Sequence, residues 1–269
     1  MNKVRRFTGF FLFFVLLSSL MVGCDTPVNT TIIVGSGTLK AEARPVLGVT
    51  SVTFSMSGNL QIAQGDQDSL EVEAEDNLLG MIRTEVRNGN LLIDSLPGTS
   101  FRATKQITFR LTLRSIERLE FSSSGSIEAS ALEGKAFTMN AHGSGAVVLE
   151  SLLFDDLAVM NGGSGSVAIG KIQAGNLTIS MTGSGSCQIN GGQAAVLNLS
   201  ISGSGSLKAG ELAAGSASAT LSASGGGTIW VKDALTANLS GSGSLSYYGN
   251  PQGSQNASGS GRIQRLGEK

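Results

Sequence analysis

Very few side chains in this sequence are of the types that catalysis or metal binding needs. The chain has one histidine, His142, and two cysteines, Cys24 and Cys187. A single histidine excludes metal sites built from several imidazoles and most histidine-dependent nucleophilic catalysis. His142 stands where other copies of an internal repeat have serine, threonine or glycine, so we expect it at a solvent-facing corner. Cys187 replaces Val167 and Leu207 in those copies, which predicts a buried, unreactive thiol.

An acidic stretch is the strongest cluster of titratable groups, and it consists of Asp66, Asp68, Glu71, Glu73, Glu75 and Asp76. Alternate residues of a strand lie about 7 Å apart, which suits a carboxylate pair or a cation site. No pattern around these residues predicts a groove, however. We therefore interpret the acidic stretch as the solvated face of a strand.

Two glycine-rich motifs resemble ligand-binding loops but lack the residues that such loops need. Gly163 and Gly165 are followed by no third glycine at the required spacing and by no helical pattern, which excludes a dinucleotide loop. Residues 161–165 resemble part of a calcium-binding repeat, but Val167 occupies the position of the aspartate ligand. We predict no cofactor and no metal.

The repeats contain one concentration of aromatic residues, Trp230, Tyr247 and Tyr248. Such rings could stack on a sugar or contact another protein. Alternatively, they could pack at the closing rim of the fold. Both interpretations stay open at the level of the sequence.

The N-terminus has the features of an export signal. Lys3, Arg5 and Arg6 precede an apolar stretch that ends at Cys24. This stretch is short for a membrane span, which needs about 20 apolar residues. Residues 20–24, Leu-Met-Val-Gly-Cys, resemble the lipobox of bacterial lipoproteins. This resemblance implies a signal peptide at 1–23, acylation of Cys24 with palmitate-type chains, and a linker at 24–31. The expected location is the cell envelope, on a membrane and facing the periplasm or the exterior.

Charge and cysteine usage restrict the partners and the source of stability. Without the signal peptide the chain has 16 basic and 20 acidic residues, which gives no electrostatic reason to expect nucleic acid as a partner. If Cys24 is acylated, Cys187 has no partner for an intramolecular disulfide. Packing and backbone hydrogen bonds must then stabilise the fold.

Internal repeats dominate the sequence after residue 119. A Ser-Gly pair, usually within Gly-Ser-Gly, recurs at every twentieth position as far as Gly225 and at every eighteenth position from there to Gly261. A fixed period of this length is typical of architectures in which each unit packs only against its neighbours. The predicted corner residues are the eight glycines of these pairs: Gly125, Gly145, Gly165, Gly185, Gly205, Gly225, Gly243 and Gly261.

Each repeat contains two short strand patterns. Apolar residues alternate with polar ones after the corner, as at Val167 and Ile169, and before it, as at Leu157 and Val159. This predicts an all-β parallel β-helix, or β-solenoid, with coils of about 20 residues. A corner glycine is needed for a positive φ or a close backbone approach. We expect a positive φ at Gly185, so valine there should destabilise the coil, whereas valine at Ser126 should be tolerated.

The preceding part of the chain, residues 32–118, is more charged and predicts a β-rich cap. Leu70, Val72 and Ala74 alternate with acidic residues as one half-buried strand. Asn88-Gly89 between two apolar runs predicts a β-hairpin. Together with the repeats at 119–266, this segment forms a single predicted domain at 32–266.

Several segments carry a family resemblance: Val34-Gly35-Ser36-Gly37, residues 71–79, residues 84–86, the Gly-Ser-Gly series and residues 247–251. Together they resemble the DUF2807 family, also described as an auto-transporter adhesin, head GIN domain, over roughly residues 32–266. The resemblance implies a right-handed β-helix exposed at the cell envelope, often on a lipoprotein, with no catalytic residues to carry over. The copy at 224–227 departs from the pattern, which predicts a blurred register at Ile229 and Trp230.

Three classes of function fit these observations. We favour a non-enzymatic, adhesin-like binding module on a lipid anchor, with a glycan or an envelope protein as partner. A second class is a structural or stress-sensing lipoprotein that acts through other membrane proteins. A third class is a polysaccharide-active β-helix enzyme, which needs clustered Asp, Lys or Arg on one face. Between 161 and 231 the only charged residues are Lys171, Lys208 and Glu211.

Overall fold

The computed structural model describes residues 32–269, which form one compact unit. The predicted signal peptide, Cys24 and most of the linker lie outside the described residues. The N-terminal strands are β1 Ile33–Val34, β2 Leu39–Arg44, β3 Ser51–Phe54, β4 Asn59–Gln64, β5 Ser69–Glu75, β6 Ile82–Arg87, β7 Asn90–Ser95, β8 Phe101–Arg102, β9 Thr108–Leu113 and β10 Arg118–Phe121. A 3₁₀ turn, Leu79–Met81, separates β5 from β6. No helix in this part of the chain is long and apolar enough to cross a membrane.

Half of the C-terminal strands are longer, because they run through a whole coil. The full series is β11 Ser126–Ala141, β12 Ala146–Asn161, β13 Ser166–Met181, β14 Ser186–Ile189, β15 Gly192–Ile201, β16 Ser206–Leu221, β17 Gly226–Leu239, β18 Ser244–Tyr248, β19 Gln255–Ala257 and β20 Arg262–Gly267. Each pairs in parallel with the equivalent strand of the next coil, as in Ile127 beside Val147 and Val147 beside Val167. The predicted all-β parallel solenoid is confirmed.

Three sets of inward-facing side chains fill the column, of which the sequence pattern predicted two. The first set follows the corner glycine, as Val167 and Ile169 do, and the last set precedes the next corner, as Leu177 and Ile179 do. A third set lies between them and consists of Leu132, Leu152, Ile172 and Leu212, all fully buried. The position two residues further on varies between Gly134, Phe154 and Ala174 in successive coils, so this third face gives no consistent period-2 signal in the sequence.

The solenoid begins before the repeats. β3 is parallel to β10 and β4 is parallel to β11, both in matched register. This pairing places the corner at Gly58 beside Gly125, although the two glycines are far apart in the chain and lie outside the regular period. Residues 51–64 are therefore a ninth corner region of the column.

The rest of the N-terminal segment covers this first end of the column. β9 pairs in parallel with β4 and antiparallel with β5, and β5 pairs antiparallel with β2. The predicted hairpin is present as β6 and β7, joined at Asn88 and Gly89 with φ of 50° and 76°. Phe54 packs edge-on against Phe109 at 5.4 Å and stacks with Phe121 at 6.1 Å. These rings fill the first coil where it meets the cap.

The copy at 224–227 keeps its register at Ile229 but not at Trp230, so the predicted blurring is confirmed at Trp230 alone. Gly227 lies beside Leu207 and Ile229 lies beside Ala209, as in every other coil. The irregularity comes later, where Ala213 pairs with Trp230 and the coil shortens. The change to the shorter period thus takes place on the third face, which contains Leu212, away from the corner.

The last strand, β20, pairs with β18 along one edge. A free edge is a template for further strand pairing unless charge or irregularity blunts it. β20 has both charge and irregularity: Arg262 and Arg265 are charged, and its register shifts at Tyr248. Arg265 also donates to the Gly249 carbonyl at 2.6 Å, which ties the strand back onto the column.

Candidate functional site

The eight corner glycines stack on one edge of the column, and their role differs from the one predicted at Gly185. None of the eight has a positive φ. Instead, a Cβ at any of them would lie 1.9–2.8 Å from a backbone carbonyl oxygen of the preceding coil. The corner therefore needs glycine for close approach of backbone to backbone, the other of the two reasons considered for these positions.

The two residues singled out for reactive side chains lie where no reaction is favoured. His142 is exposed at the corner, next to the glycine stack. Cys187 is buried in the first inward set, and burial raises the pKa of its thiol to about 12. Because the thiolate is the nucleophile, this cysteine is inert at neutral pH.

We expect native protein carrying Cys24→Ser to resist alkylation at Cys187. Iodoacetamide at pH 8 should leave the folded protein unmodified and should modify it fully in guanidinium chloride, as mass spectrometry can show. Ser186→Cys, at the exposed neighbouring position of the same strand, should be alkylated in the folded state. Equal rates for the folded and unfolded protein would contradict the burial of Cys187.

The acidic stretch is only partly a solvated face. Glu71 and Glu73 both form ion pairs with Arg110, at 2.7 and 2.8 Å. No group of three His, Cys, Asp or Glu residues within 32–269 is arranged to hold a metal ion. Glu75, by contrast, is 1% exposed, which corrects its assignment to the solvent face.

Glu75 is buried where three separate segments of the chain meet, and its carboxylate joins them. Its carboxylate accepts hydrogen bonds from the Gly37 amide at 2.7 Å, the Thr104 amide at 2.8 Å and the Thr104 hydroxyl at 2.5 Å. A longer bond comes from the Lys105 amide. These bonds, first among them that from the Thr104 side chain, lower the pKa of Glu75 to about 2. Gly35 leaves room for the carboxylate, since a Cβ there would lie 1.9 Å from it.

The three aromatic residues do not form a free stacking surface. Tyr247 is buried, and its hydroxyl accepts a hydrogen bond from Gln255 at 3.0 Å. Trp230 and Tyr248 are half-buried neighbours on adjacent strands. Lys232 lies over the Trp230 ring at 5.7 Å, and Lys269 lies over Tyr248 at 4.9 Å. The arrangement corresponds to packing at the rim. Tyr247 is too deeply buried to contact a partner, which corrects that part of the prediction.

An open cleft of about 1050 Å³ lies at the capped end of the column. One wall is the corner of the first coils, where Ser57, Ser124 and Ser144 follow one another. The other wall is the segment from Thr99 to Ile107, which contains β8. Eight of the lining residues are serines.

The charged residues that line this cleft are all basic. Arg102 and Lys105 line it, both are exposed, and its lining contains no Asp or Glu. Neither cation has an ion-pair partner among residues 32–269. The wall that carries them is fixed by Glu75 through Thr104 and Lys105, and by β1, which pairs with β8. The cleft is thus a preformed surface of hydroxyl groups with two available positive charges.

Reasoning from the sequence did not find this cleft. One signal was available, because Ser55-Met56-Ser57-Gly58 matches the pattern of Ser122-Ser123-Ser124-Gly125 outside the regular period. The structure places these serines side by side, with hydroxyl oxygens 2.9 Å apart for Ser55 and Ser122 and 3.3 Å apart for Ser57 and Ser124. The opposite wall, Thr99 to Ile107, has no repeat pattern at all.

A stacked β-solenoid that carries a preformed polar cleft is the architecture of a repeat protein that presents a binding surface. A family model described as "DUF2807: Putative auto-transporter adhesin, head GIN domain" matches residues 49–251. The chain belongs to this family, as its sequence motifs predicted.

Solved structures of the same fold include proteins from two species of Parabacteroides. A "putative lipid binding protein" from Parabacteroides distasonis has a TM-score of 0.78 at 25% identity, over 88% of this chain and 100% of that chain. A "putative adhesin" from Parabacteroides merdae has a TM-score of 0.79 at 20% identity, over 87% and 98% of the two chains. A second from P. distasonis has a TM-score of 0.79 at 21% identity, over 88% and 100%. No curated protein matches the chain.

Proposed function

We propose that this protein is a lipid-anchored binding module of the bacterial cell envelope, without catalytic activity, and that its ligand occupies the serine-lined cleft. The observation that carries the proposal is the cleft itself, with its hydroxyl lining and its two unpaired cations at the end of a rigid column. The family description as an adhesin is consistent with a binding role.

The proposed anchor follows from the lipobox-like residues 20–24. Acylation of Cys24 with two or more chains gives stable membrane attachment, because each buried CH₂ contributes about 0.8 kcal/mol. Seven residues, 25–31, separate Cys24 from the first described residue, and such a segment spans at most about 25 Å. The module would therefore remain close to the membrane surface.

The residues that line the cleft support binding more than catalysis. They include no carboxylate and no histidine to act as a general acid or base. The carboxylate pair that the sequence suggested, Glu71 with Glu73, is engaged by Arg110. A polysaccharide-active enzyme of this architecture would need such groups beside its substrate.

Membrane attachment is tested by Cys24→Ser. We expect the variant to move from the membrane fraction to the soluble fraction and to lose metabolic labelling with palmitate, since the acyl chains supply the anchoring energy. Cys187→Ser is the matched control, because it removes the other cysteine from the core and should leave both readouts unchanged. A Cys24→Ser protein that still sediments with membranes and incorporates palmitate would refute the anchor.

A further inference from the structure

We infer that the cleft binds an acidic carbohydrate chain, one whose sugar rings carry carboxylate, sulfate or phosphate groups. This inference rests on the proposed function as a binding module and names the class of its ligand. Three features of the cleft point to this chemistry: its two cations, its row of hydroxyl groups and its one aromatic ring.

The cations select an anionic ligand. Arg102 and Lys105 are the only charged residues of the lining, although the chain as a whole carries a net charge of −1. Arginine can bind a carboxylate, sulfate or phosphate with two parallel hydrogen bonds, and lysine adds a point charge. Glu75 fixes the backbone of Thr104 and Lys105, so the wall is held in place before any ligand arrives. Such preorganisation lowers the entropic cost of binding.

The hydroxyl groups favour a sugar over other anions. Ser57, Ser124 and Ser144 belong to successive coils, so their side chains repeat at the strand spacing of about 4.8 Å along the column. A serine hydroxyl both donates and accepts a hydrogen bond, which matches the hydroxyl groups of a sugar. Because the cleft is open and runs across several coils, it suits a segment of an extended chain better than a small enclosed molecule.

Phe101 supplies the aromatic element. It lines the cleft beside Arg102 in the chain, and it is half-buried, with part of its ring packed against the core. An aromatic face of this kind packs against the apolar face of a sugar ring. A lipid acyl chain, in contrast, would need a continuous apolar channel, and the lining is dominated by serine.

The test measures binding of the Cys24→Ser protein, which has no acyl chains and retains the complete described core. The probes are polygalacturonate and heparin as acidic polysaccharides, dextran as a neutral one, and phosphatidylglycerol vesicles. Arg102→Gln/Lys105→Gln removes the two cations of the cleft. Lys171→Gln/Lys208→Gln is the matched control, because it removes two exposed lysines outside the cleft.

We expect an acidic polysaccharide to bind and dextran not to bind. Affinity should fall about tenfold or more in the cleft variant, and salt should weaken binding by the unchanged protein. The control variant should bind as the parent does. Far-UV circular dichroism should give the same spectrum for all three proteins.

Four results would overturn the inference. These are equal binding of dextran, equal losses in the two double variants, no binding of either acidic polymer, or binding of the vesicles alone with dependence on Arg102 and Lys105. The last would indicate lipid headgroups as ligands. None of these results bears on membrane attachment, which the Cys24→Ser fractionation decides separately.

Discussion

Gly185→Ala should destabilise the protein by about 3 kcal/mol, the upper part of the range for overpacked positions. The added Cβ would lie 2.2 Å from the Gly165 carbonyl oxygen and 2.8 Å from the side-chain nitrogen, Nδ2, of Asn161. Neither group yields easily. The carbonyl belongs to the backbone of the neighbouring coil, and the Asn161 amide donates to the carbonyls of Gly165 and Ser186 at 3.2 Å. The coil must therefore move apart from its neighbour.

Thermal unfolding followed by far-UV circular dichroism measures this effect. A loss of about 3 kcal/mol corresponds to a fall in Tm of roughly 6–12 °C for a domain of this size. Ser186→Ala is the control, because Ser186 is exposed and adjacent in the same strand. Ser126, the tolerant position suggested by the sequence, serves less well, since its hydroxyl donates to Asn59 at 3.0 Å. Equal Tm values for Gly185→Ala and Ser186→Ala would contradict the close approach of the coils.

Glu75→Gln should reduce the pH dependence of stability in acid and should loosen the cation-bearing wall of the cleft. The pKa of Glu75 is about 2 in the folded protein and 4.5 ordinarily. A carboxyl whose pKa is lowered by folding stabilises the native state above the unfolded pKa, and this contribution is lost as the pH falls from 4.5 towards 2. The neutral amide of glutamine has no such dependence. Each carboxylate oxygen also accepts from two donors, so an amide NH₂ group would oppose donors in either orientation.

Urea unfolding at a series of pH values between 2 and 7 tests the titration. The midpoint for the parent protein should fall steeply below pH 4.5, and the midpoint for Glu75→Gln should start lower and change less. Glu133→Gln, at an exposed position on β11, should reproduce the parent curve. Hydrogen exchange should speed up in residues 99–107 of Glu75→Gln alone. Parallel curves for parent and Glu75→Gln would show that Glu75 does not titrate as described.

The sequence predicted the column well, because neighbours in the column are related by a constant offset along the chain. Val147 and Val167 pack together since they occupy the same position in consecutive copies, and a period detects such contacts directly. The prediction from the sequence failed for contacts that are not related by a constant offset along the chain. Gly58 joins the corner stack from a distant part of the chain that precedes the repeats, and the second position of the third inward face changes from Gly134 to Phe154 in consecutive coils.

The candidate site was not predictable for a related reason. Its serine wall is periodic, but its opposite wall is an irregular segment that Glu75 pins from 29 residues earlier in the chain. In a strand that alternates Leu70, Val72 and Ala74 with glutamates, Glu75 has the pattern of a solvent-facing residue. Glu75 stands at the end of the strand, where backbone amides from other segments converge on its side chain. It is buried for this reason. Local alternation contains no information about those amides.

The in-register stacking of identical corners has an evolutionary consequence. Since each coil contacts only the coils on either side, duplicating or deleting one repeat unit in the middle of the column leaves every other interface as it was. Such an event would change the height of the column by about 4.8 Å. The cleft, built at the capped end from the corner between β3 and β4, from β8 and from the first repeat corners, would be untouched. The height of the column and the residues of the cleft are therefore separate traits, and selection can adjust one while it conserves the other.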